Sequence, residues 1–356
     1  MLDGKRVLIT GGTGSLGQVL LRRLLSGRHG SPAKLIVLSR DEGKQHDIRV
    51  RYQNKLAGED ALYENFRRRL EFRIGDVRDY ASVAAALRDV DMVFNAAALK
   101  QVPACEYFPY EAVRTNVEGP ENIVRAIRDQ RLPVETVVGV STDKATKPVN
   151  VMGMTKALQE RIFARANLEL PGTRCVIVRY GNVLASRGSV IPLFHEQIRA
   201  GGPVTVTDPR MTRFLLSLEE AVDVIMAAVA GGRRGETYIP RVPTARVTDI
   251  ARALIDGRDI PIRVTGIRPG EKLHETLISE EEAARAFRRG DYFVIQPILP
   301  ELREGALEGP GLRGEYSSEH GVMSYDALRE LLVQRDLMLP SDGRPVARAR
   351  EPELLR

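Results

Sequence analysis

A carboxylate and an amine stand side by side at Asp143 and Lys144, directly after the hydroxyl of Thr142. Such a pair can give and take protons, which is general acid–base chemistry. In extended backbone, adjacent side chains point in opposite directions, so a local bend is needed before both can face one substrate. On these residues alone, a structural interpretation in which the pair caps the following loop stays open.

A glycine-rich segment near the N-terminus has the spacing of a phosphate cradle. Residues 10–17 read TGGTGSLG and follow a short apolar run. Glycines at this spacing allow a sharp turn, close approach of the backbone to a pyrophosphate and tight helix packing. The N–H groups at the start of the next helix favour an anion. We therefore predict dinucleotide contacts from Gly11, Thr13, Gly14, Ser15, Leu16 and Gly17.

The end of the second predicted strand indicates which dinucleotide binds. Arg40 is the first charged residue after Ser39, and Lys44 follows one helical turn later. Cations at this place would pair with the 2′-phosphate of NADP, so NADP is the predicted cofactor. Asp41 leaves NAD open, and a solvated helix start is the alternative interpretation. The carboxylate of Asp76, after the third strand, is expected at the adenine edge.

Short apolar runs alternate with helical stretches in the first half of the chain. This alternation predicts an α/β fold with a Rossmann-type, doubly wound parallel sheet, which would position these residues. Beyond Tyr180, glycine and proline become frequent, which indicates a smaller C-terminal substrate-binding lobe. We assign residues 1–180 to the NADP-binding domain, with a returning segment near 214–240. Residues 181–342 form mainly the nucleotide-sugar lobe, and 343–356 a disordered tail. The predicted strands cover residues 6–10, 35–38, 70–74, 92–94, 136–140 and 175–178.

The composition argues against several protein classes. The 356 residues carry a net charge of +6, but the arginines are scattered and no nucleic-acid-binding signature appears. No apolar run reaches the roughly 18 residues of a membrane span. The N-terminus lacks the pattern of a signal peptide. Two cysteines are too few for a disulfide framework or a metal cage. We expect a cytoplasmic protein without a metal, a nucleic-acid partner or membrane insertion.

Several further motifs occur in a fixed order along the chain. They are Asn95–Lys100, Asn116–Gly119, Ser141–Lys144, Arg179–Val183, Thr207–Arg213 and Arg268–Glu275, with a weaker match at Glu315–Ser318. Together they resemble the extended short-chain dehydrogenase/reductase superfamily. Within it they are similar to the UDP-N-acetylglucosamine 4,6-dehydratases of bacterial surface-sugar synthesis. The resemblance covers residues 4–297.

This resemblance implies NADP-dependent loss of water from UDP-N-acetylglucosamine. C4 is oxidised, the C5 proton is removed, water leaves from C6 and the hydride returns to C6. The product is a 4-keto-6-deoxy sugar, with inversion at C5 as in the shorter relatives. The resemblance makes Asp143 the acid and Lys144 the base, while Thr142 binds the C4 hydroxyl and Lys156 the nicotinamide ribose. Burial and a cationic nicotinamide are expected to help Lys144 lose its proton.

The resemblance also carries binding residues onto this chain. Arginines suit a diphosphate through paired hydrogen bonds, and Glu271 would bind the uridine ribose, although a salt bridge between Arg268 and Glu271 is the alternative. The superfamily pairs helices near 106–131 and 151–168 between subunits, which implies a homo-oligomer, dimer or hexamer. Further cofactor contacts are expected from Ser39, Val77, Ala96, Ala97, Ala98, Lys100, Asn116, Tyr180, Asn182 and Val183. Substrate contacts are expected from Lys100, Asn182, Val190, Thr207, Met211, Arg213, Arg268 and Glu271.

One position departs from the superfamily pattern. Where Tyr-x-x-x-Lys is usual, this chain has Met152 and Lys156. Methionine cannot move a proton, although a subset of the sugar dehydratases shares this replacement. The acceptor of the C4 hydroxyl proton is then Lys156, Lys144 or a water chain held by Thr142.

Two alternatives to dehydration remain. A UDP-sugar 4-epimerase shares the C4 oxidation but needs no acid–base pair at C5 and C6. A catalytically inactive NADPH-binding sensor would explain the missing tyrosine.

Overall fold

The computed structural model describes residues 1–53, 60–184, 189–303 and 305–340. It contains one large sheet and three two-stranded ribbons. The strands are β1 (Arg6–Thr10), β2 (Lys34–Ser39), β3 (Leu70–Ile74), β4 (Met92–Asn95), β5 (Thr136–Thr142), β6 (Arg174–Tyr180), β7 (Val204–Val206), β8 (Thr212–Phe214), β9 (Thr237–Pro240), β10 (Thr244–Arg246), β11 (Ile262–Val264), β12 (Thr276–Ile278), β13 (Ala286–Arg289), β14 (Tyr292–Ile295) and β15 (Tyr316–Ser317).

Helices cover both faces of the large sheet and form the centre of the smaller lobe. They are α1 (Ser15–Leu25), α2 (Glu42–Gln53), α3 (Asp60–Arg69), α4 (Tyr80–Leu87), α5 (Val102–Tyr107), α6 (Pro109–Val113), α7 (Gly119–Gln130), α8 (Val151–Glu169), α9 (Val190–Arg199), α10 (Leu218–Gly231), α11 (Val247–Ile255), α12 (Glu280–Ala283) and α13 (Tyr325–Gln334). A π-helical turn, Arg114–Glu118, separates α6 from α7.

Six strands of the large sheet are parallel and lie in the order β3-β2-β1-β4-β5-β6. This order is that of a dinucleotide-binding sheet, so the predicted Rossmann-type α/β fold is confirmed. One core lies between the sheet and helices α1 and α10, and another lies on the opposite face under α4, α7 and α8. The strand order changes direction between β1 and β4, and in sheets of this kind ligands bind in the crevice beside the loops that follow these two strands.

The large sheet continues beyond the six parallel strands. Strand β9 pairs in parallel with β6, and α10 packs beside it, in the region where we predicted a returning segment. The antiparallel hairpin β13–β14 then extends the sheet from β9. Sequence analysis did not predict this hairpin. Its strands are only four residues long and one carries two arginines, so the run resembles a polar loop, although Phe287 and Val294 are buried.

The smaller lobe has its own hydrophobic core. Side chains of α9, α11 and α13 pack together with β7, including Phe194, Ile250 and Leu328. Two ribbons, β8–β10 and β12–β15, lie between this core and the ends of β5 and β6. The predicted tail at 343–356 lies outside the described residues. Within the ranges that the structure describes, no helix is both long and apolar enough to cross a bilayer.

Candidate active site

The glycine-rich turn between β1 and α1 is closed to side chains. Gly11 has φ +67°, and a Cβ there would lie 2.7 Å from the backbone nitrogen of Ala97 in the loop after β4. A Cβ on Gly17 would lie 2.5 Å from the Cα of Gly12. Gly14 precedes α1 and offers no side-chain cap to its first N–H groups. This geometry fits a pyrophosphate resting on bare backbone at the helix start.

The two cations expected to bind the 2′-phosphate, Arg40 and Lys44, both lie near carboxylates of the protein. The side chain of Arg40 is 56% exposed and lies 3.9 Å from the carboxylate of Asp76. Asp76 itself forms a 2.6 Å ion pair with Arg78. Burial works to raise the pKa of Asp76, but hydrogen bonds from Arg78 outweigh it and leave that pKa lowered. Lys44 forms a 2.6 Å ion pair with Asp41 on its own turn.

The loop after β4 carries many of the expected cofactor contacts and is pinned by buried polar groups. The Thr10 hydroxyl donates to the Asn95 side-chain oxygen at 2.9 Å and accepts from the Ala97 N–H at 3.2 Å. Asn116 is fully buried, accepts from the Leu99 N–H and donates to the Leu99 carbonyl. Asn116 therefore orders this loop from the π-helical turn. Ala96, Ala98 and the exposed Lys100 lie on the same loop.

The predicted bend at Thr142-Asp143-Lys144 is a single 3-10 turn at the end of β5. The Thr142 hydroxyl donates to Asp143 Oδ1 at 2.8 Å, and Lys144 Nζ donates to the same oxygen at 3.1 Å. Asp143 is 0% exposed. Its other oxygen, Oδ2, has no hydrogen-bond partner in the described part of the chain. Contact between this carboxyl group and a sugar would require the side chain to turn.

Lys144 lies between two buried carboxylates. Its Nζ is 3.1 Å from Asp143 Oδ1, 3.0 Å from Glu275 Oε1 and 3.4 Å from the Asn182 side-chain oxygen. Burial works to lower the pKa of Lys144, but attraction to Asp143 and Glu275 outweighs it and raises that pKa. The two carboxylates therefore oppose the loss of a proton from Lys144, and the second of them, Glu275, was not foreseen.

Helix α8 presents Met152 and Lys156 near this turn. Met152 is 4% exposed and belongs to a small apolar cluster with Cys105 and Ala112. Lys156 Nζ donates to the Val140 carbonyl and to the Gln159 side chain, both at 2.6 Å. Burial lowers the pKa of Lys156 to about 7, so this amine can be neutral near physiological pH.

Gly153 sets the distance between α8 and the turn that holds Lys144. A Cβ at this position would lie 2.2 Å from the Lys144 carbonyl oxygen. Gly153→Ala is therefore expected to displace the turn and to cost about 1–3 kcal/mol of unfolding free energy. Gly172→Ala is the matched control, since nothing lies within 4 Å of a Cβ there. Thermal unfolding of both variants measures the difference, and equal melting temperatures would contradict the close packing.

Some predicted substrate residues reach the candidate catalytic turn (Thr142–Lys144) and others do not. Arg213 is close enough to influence the pKa of Lys144, and its guanidinium donates to the carbonyls of Lys272 and Leu273. Arg268 is exposed, and its backbone N–H donates to Glu271 Oε2 at 3.2 Å. The remaining positions are distributed as follows: Tyr180 ends β6, Asn182 and Val183 follow it, Val190 begins α9, Thr207 follows β7, and Met211 precedes β8.

Sequence analysis missed Glu275 as a member of this site. The residue closes the Arg268–Glu275 motif, but nothing in the spacing shows that its carboxylate meets Lys144. Ser318 was also missed, although it lies in the weaker match at Glu315–Ser318. Its hydroxyl accepts from the Glu275 N–H at 2.9 Å. In the described ranges, no group of three or more His, Cys, Asp or Glu side chains could hold a metal ion.

Comparison with known proteins gives consistent matches. The family described as "Polysaccharide biosynthesis protein" matches residues 7–297. A curated relative from Rickettsia conorii (strain ATCC VR-613 / Malish 7), named UDP-glucose 4-epimerase, is 45% identical over 347 residues, covering 94% of this chain and 97% of the relative.

Two solved structures are also similar. Pen from Bacillus thuringiensis superimposes with a TM-score of 0.84 at 34% identity, covering 95% of this chain and 100% of Pen. The dTDP-glucose 4,6-dehydratase DesIV from Streptomyces venezuelae, solved with NAD and TYD, gives 0.63 at 25% identity, covering 75% and 86%.

Proposed function

Because the chain belongs to the polysaccharide biosynthesis protein family, we propose that it is a nicotinamide-dependent enzyme that oxidises C4 of a UDP-hexose and inverts that centre as a 4-epimerase. The name of the relative that covers 94% of the chain supports this reaction. The main observation in favour of 4-epimerisation is the burial of Asp143, because a C6 hydroxyl cannot reach this carboxyl group in its buried position. Thr142 and Lys144 are only partly buried and can meet a C4 hydroxyl.

The residues that would hold the cofactor fit such a molecule. The bare turn at Gly11–Gly17 would receive the pyrophosphate, and Lys156 would contact the nicotinamide ribose. When bound, the nicotinamide would supply the acceptor and donor of the hydride at C4. The hydroxyl of Thr142, whose hydrogen points to Asp143, can accept a hydrogen bond from the C4 hydroxyl. The neutral amine of Lys156 is the candidate to receive its proton.

Dehydration of UDP-N-acetylglucosamine to a 4-keto-6-deoxy sugar, with inversion at C5, is the second candidate. The cluster of Asp143, Lys144 and Glu275 favours it, because loss of water needs an acid and a base beside C5 and C6, and the cluster brings carboxyl groups and an amine together. The likeness to a dTDP-glucose 4,6-dehydratase is compatible with this reaction. It requires the Asp143 side chain to turn towards C6 and Lys144 to give up a proton.

One assay separates these reactions. The protein is incubated with UDP-glucose or UDP-N-acetylglucosamine, and the products are examined by mass spectrometry and NMR. A 4-epimerase gives a product of unchanged mass with the inverted hydroxyl at C4. A dehydratase gives a product lighter by one water, and this result would overturn the epimerase proposal. An unchanged sugar in the presence of bound cofactor would favour the sensor interpretation.

We further propose that the cofactor is NADP, held at its 2′-phosphate by Arg40. Arg40→Ala is expected to weaken NADP binding by about 1.5–3 kcal/mol, the value of a charge-assisted hydrogen bond, and to affect NAD much less. Lys44→Ala is expected to have a smaller effect, because Asp41 already holds that amine. Calorimetric titration with both cofactors provides the measurement. Equal losses for NADP and NAD would contradict a phosphate contact at Arg40.

We propose that the protein forms a homo-oligomer through the helices near 106–131 and 151–168, which the superfamily pairs between subunits. Several large apolar side chains on or beside α5, α6 and α8 are exposed in the single chain, as is expected of a surface that packs against a second subunit. They are Tyr107, Phe108, Tyr110, Met154 and Leu158.

A further inference from the structure

Glu275 brings a carboxylate from the C-terminal half of the chain into the catalytic turn. It immediately precedes β12 and is only 2% exposed. Its Oε1 lies 3.0 Å from Lys144 Nζ, slightly closer than Asp143 Oδ1 at 3.1 Å. A buried carboxylate without a charged partner is strongly unfavourable, so this contact accounts for the burial of Glu275.

The backbone around Glu275 is fixed from both sides. Its N–H donates to the Ser318 hydroxyl at 2.9 Å, and its carbonyl accepts from the Ser318 N–H at 2.8 Å. Ser318 is joined in turn to the Thr212 hydroxyl at 2.8 Å. Two residues later, the Leu277 carbonyl accepts from the guanidinium of Arg179 at 2.8 Å. Glu275 is therefore held in place independently of Lys144, and it can orient the lysine.

Groups of both charges surround the Lys144 amine. Asp143 and Glu275 face it as carboxylates, while Arg213 and Lys272 are the neighbouring cations. Lys272 Nζ donates to the Thr146 carbonyl at 2.7 Å, so its own hydrogen bonding is directed elsewhere. Glu275 Oε2 is buried and has no hydrogen-bond partner among the described residues, which leaves an acceptor near the amine.

We propose that Glu275 is a positioning residue of this active site, which fixes the amine of Lys144 and maintains it as a cation facing the sugar. This inference rests on the proposed function, because it assigns Lys144 to the reacting sugar. The catalytic turn supplies Asp143 and Lys144 together, but only the C-terminal segment supplies the second carboxylate. A cation held in this way donates hydrogen bonds to the oxygen at C4 as negative charge develops there.

The test measures the protonation of Lys144 directly. The chain has nine lysines, so lysine-selective labelling gives few NMR signals, and Lys144→Arg identifies the one that belongs to Lys144. Glu275→Gln keeps the shape and an acceptor atom but removes the charge. It is expected to lower the titration midpoint of Lys144 by at least about one pH unit. The limb of the kcat/KM–pH profile that follows Lys144 should move in the same direction.

Glu315→Gln is the matched control. It breaks the 2.7 Å ion pair between Lys147 and Glu315, which is exposed and lies outside the catalytic turn. This variant should leave the midpoint of Lys144 unchanged. Glu275→Asp keeps the charge on a shorter side chain and should preserve the midpoint better than Glu275→Gln. This second variant keeps the proposal testable if Glu275→Gln fails to fold.

Two results would overturn the proposal. One is an unchanged Lys144 midpoint in Glu275→Gln. The other is a shifted midpoint with an unmoved kcat/KM profile, which would make the ion pair structural only. If the unmodified protein converts no UDP-sugar, the proposed function fails, and the Lys144 titration then decides alone whether Glu275 controls that amine.

Discussion

Lys144→Ala is expected to reduce the turnover of a UDP-sugar by about 10²–10³-fold, the usual loss when a hydrogen-bond donor to a developing negative charge is removed. Lys144 has the most exposed side chain of the Asp143–Lys144–Glu275 cluster, at 19%, while both carboxylates are buried. Steady-state conversion, followed by mass spectrometry, measures the loss. A variant that retains native turnover would show that Lys144 does not stabilise the charge that develops on the oxygen at C4.

The same substitution is expected to destabilise the fold. Removing Lys144 leaves Asp143 and Glu275 without their shared counter-ion, and breaking a buried ion pair in this way costs about 3–5 kcal/mol. The pKa of Lys144 is raised above its ordinary value of 10.5. Its stabilisation is therefore fully present below that pH and is lost only as the pH rises through the higher folded value. Thermal unfolding at neutral pH should show the difference.

Lys144→Arg separates the chemical loss from the structural one. Arginine keeps a positive charge between Asp143 and Glu275, so most of the stability should return. A planar guanidinium cannot replace the compact ammonium at the same acceptors, so turnover should recover only in part.

In a parallel experiment in deuterated water, a 4-epimerase is expected to leave C5 unlabelled. Deuterium at C5 in the product would favour dehydration and would make Lys144 its candidate base.

Met152→Tyr is expected to slow turnover rather than to restore a missing base. Met152 is buried in a small apolar cluster with Cys105 and Ala112. A tyrosine brings a larger ring and a hydroxyl that needs a hydrogen-bond partner. Overpacking of this kind costs about 1–3 kcal/mol, and a comparable loss in the transition state slows a reaction about 5- to 150-fold.

In the proposed reaction, Lys156 takes the place of the usual tyrosine, four residues further along α8. The pKa of Lys156 is lowered to about 7 by burial, so the neutral amine becomes available as the pH rises through that value. Turnover of the native protein should therefore increase between pH 6 and 8. Steady-state rates across pH 6–9 provide the test, with Met152→Leu as the control of similar volume. A faster Met152→Tyr enzyme would identify the native protein as an impaired catalyst.

The sequence by itself determined the features that arise from local structure. The glycine-rich turn could be predicted because Gly11 needs a positive φ and Gly17 needs close packing, and both requirements restrict the residue type. The six parallel strands could be predicted because buried strands are short runs of apolar, often β-branched residues. The juxtaposition of Thr142, Asp143 and Lys144 was visible because these residues are neighbours in the chain.

The tertiary structure alone decided the charge state and accessibility of the site. Asp143 is buried in part because Gly181, which follows β6, lies beside it, and a Cβ on Gly181 would be 3.3 Å from Asp143 Oδ2. The pKa of Lys144 is raised because Asp143 and, from a distant segment, Glu275 both attract its charge, while the pKa of Lys156 is lowered because burial outweighs the attraction of Glu160. Protonation depends on which charges share a low-dielectric space and on how much water is excluded from it, and residue spacing along a chain fixes neither.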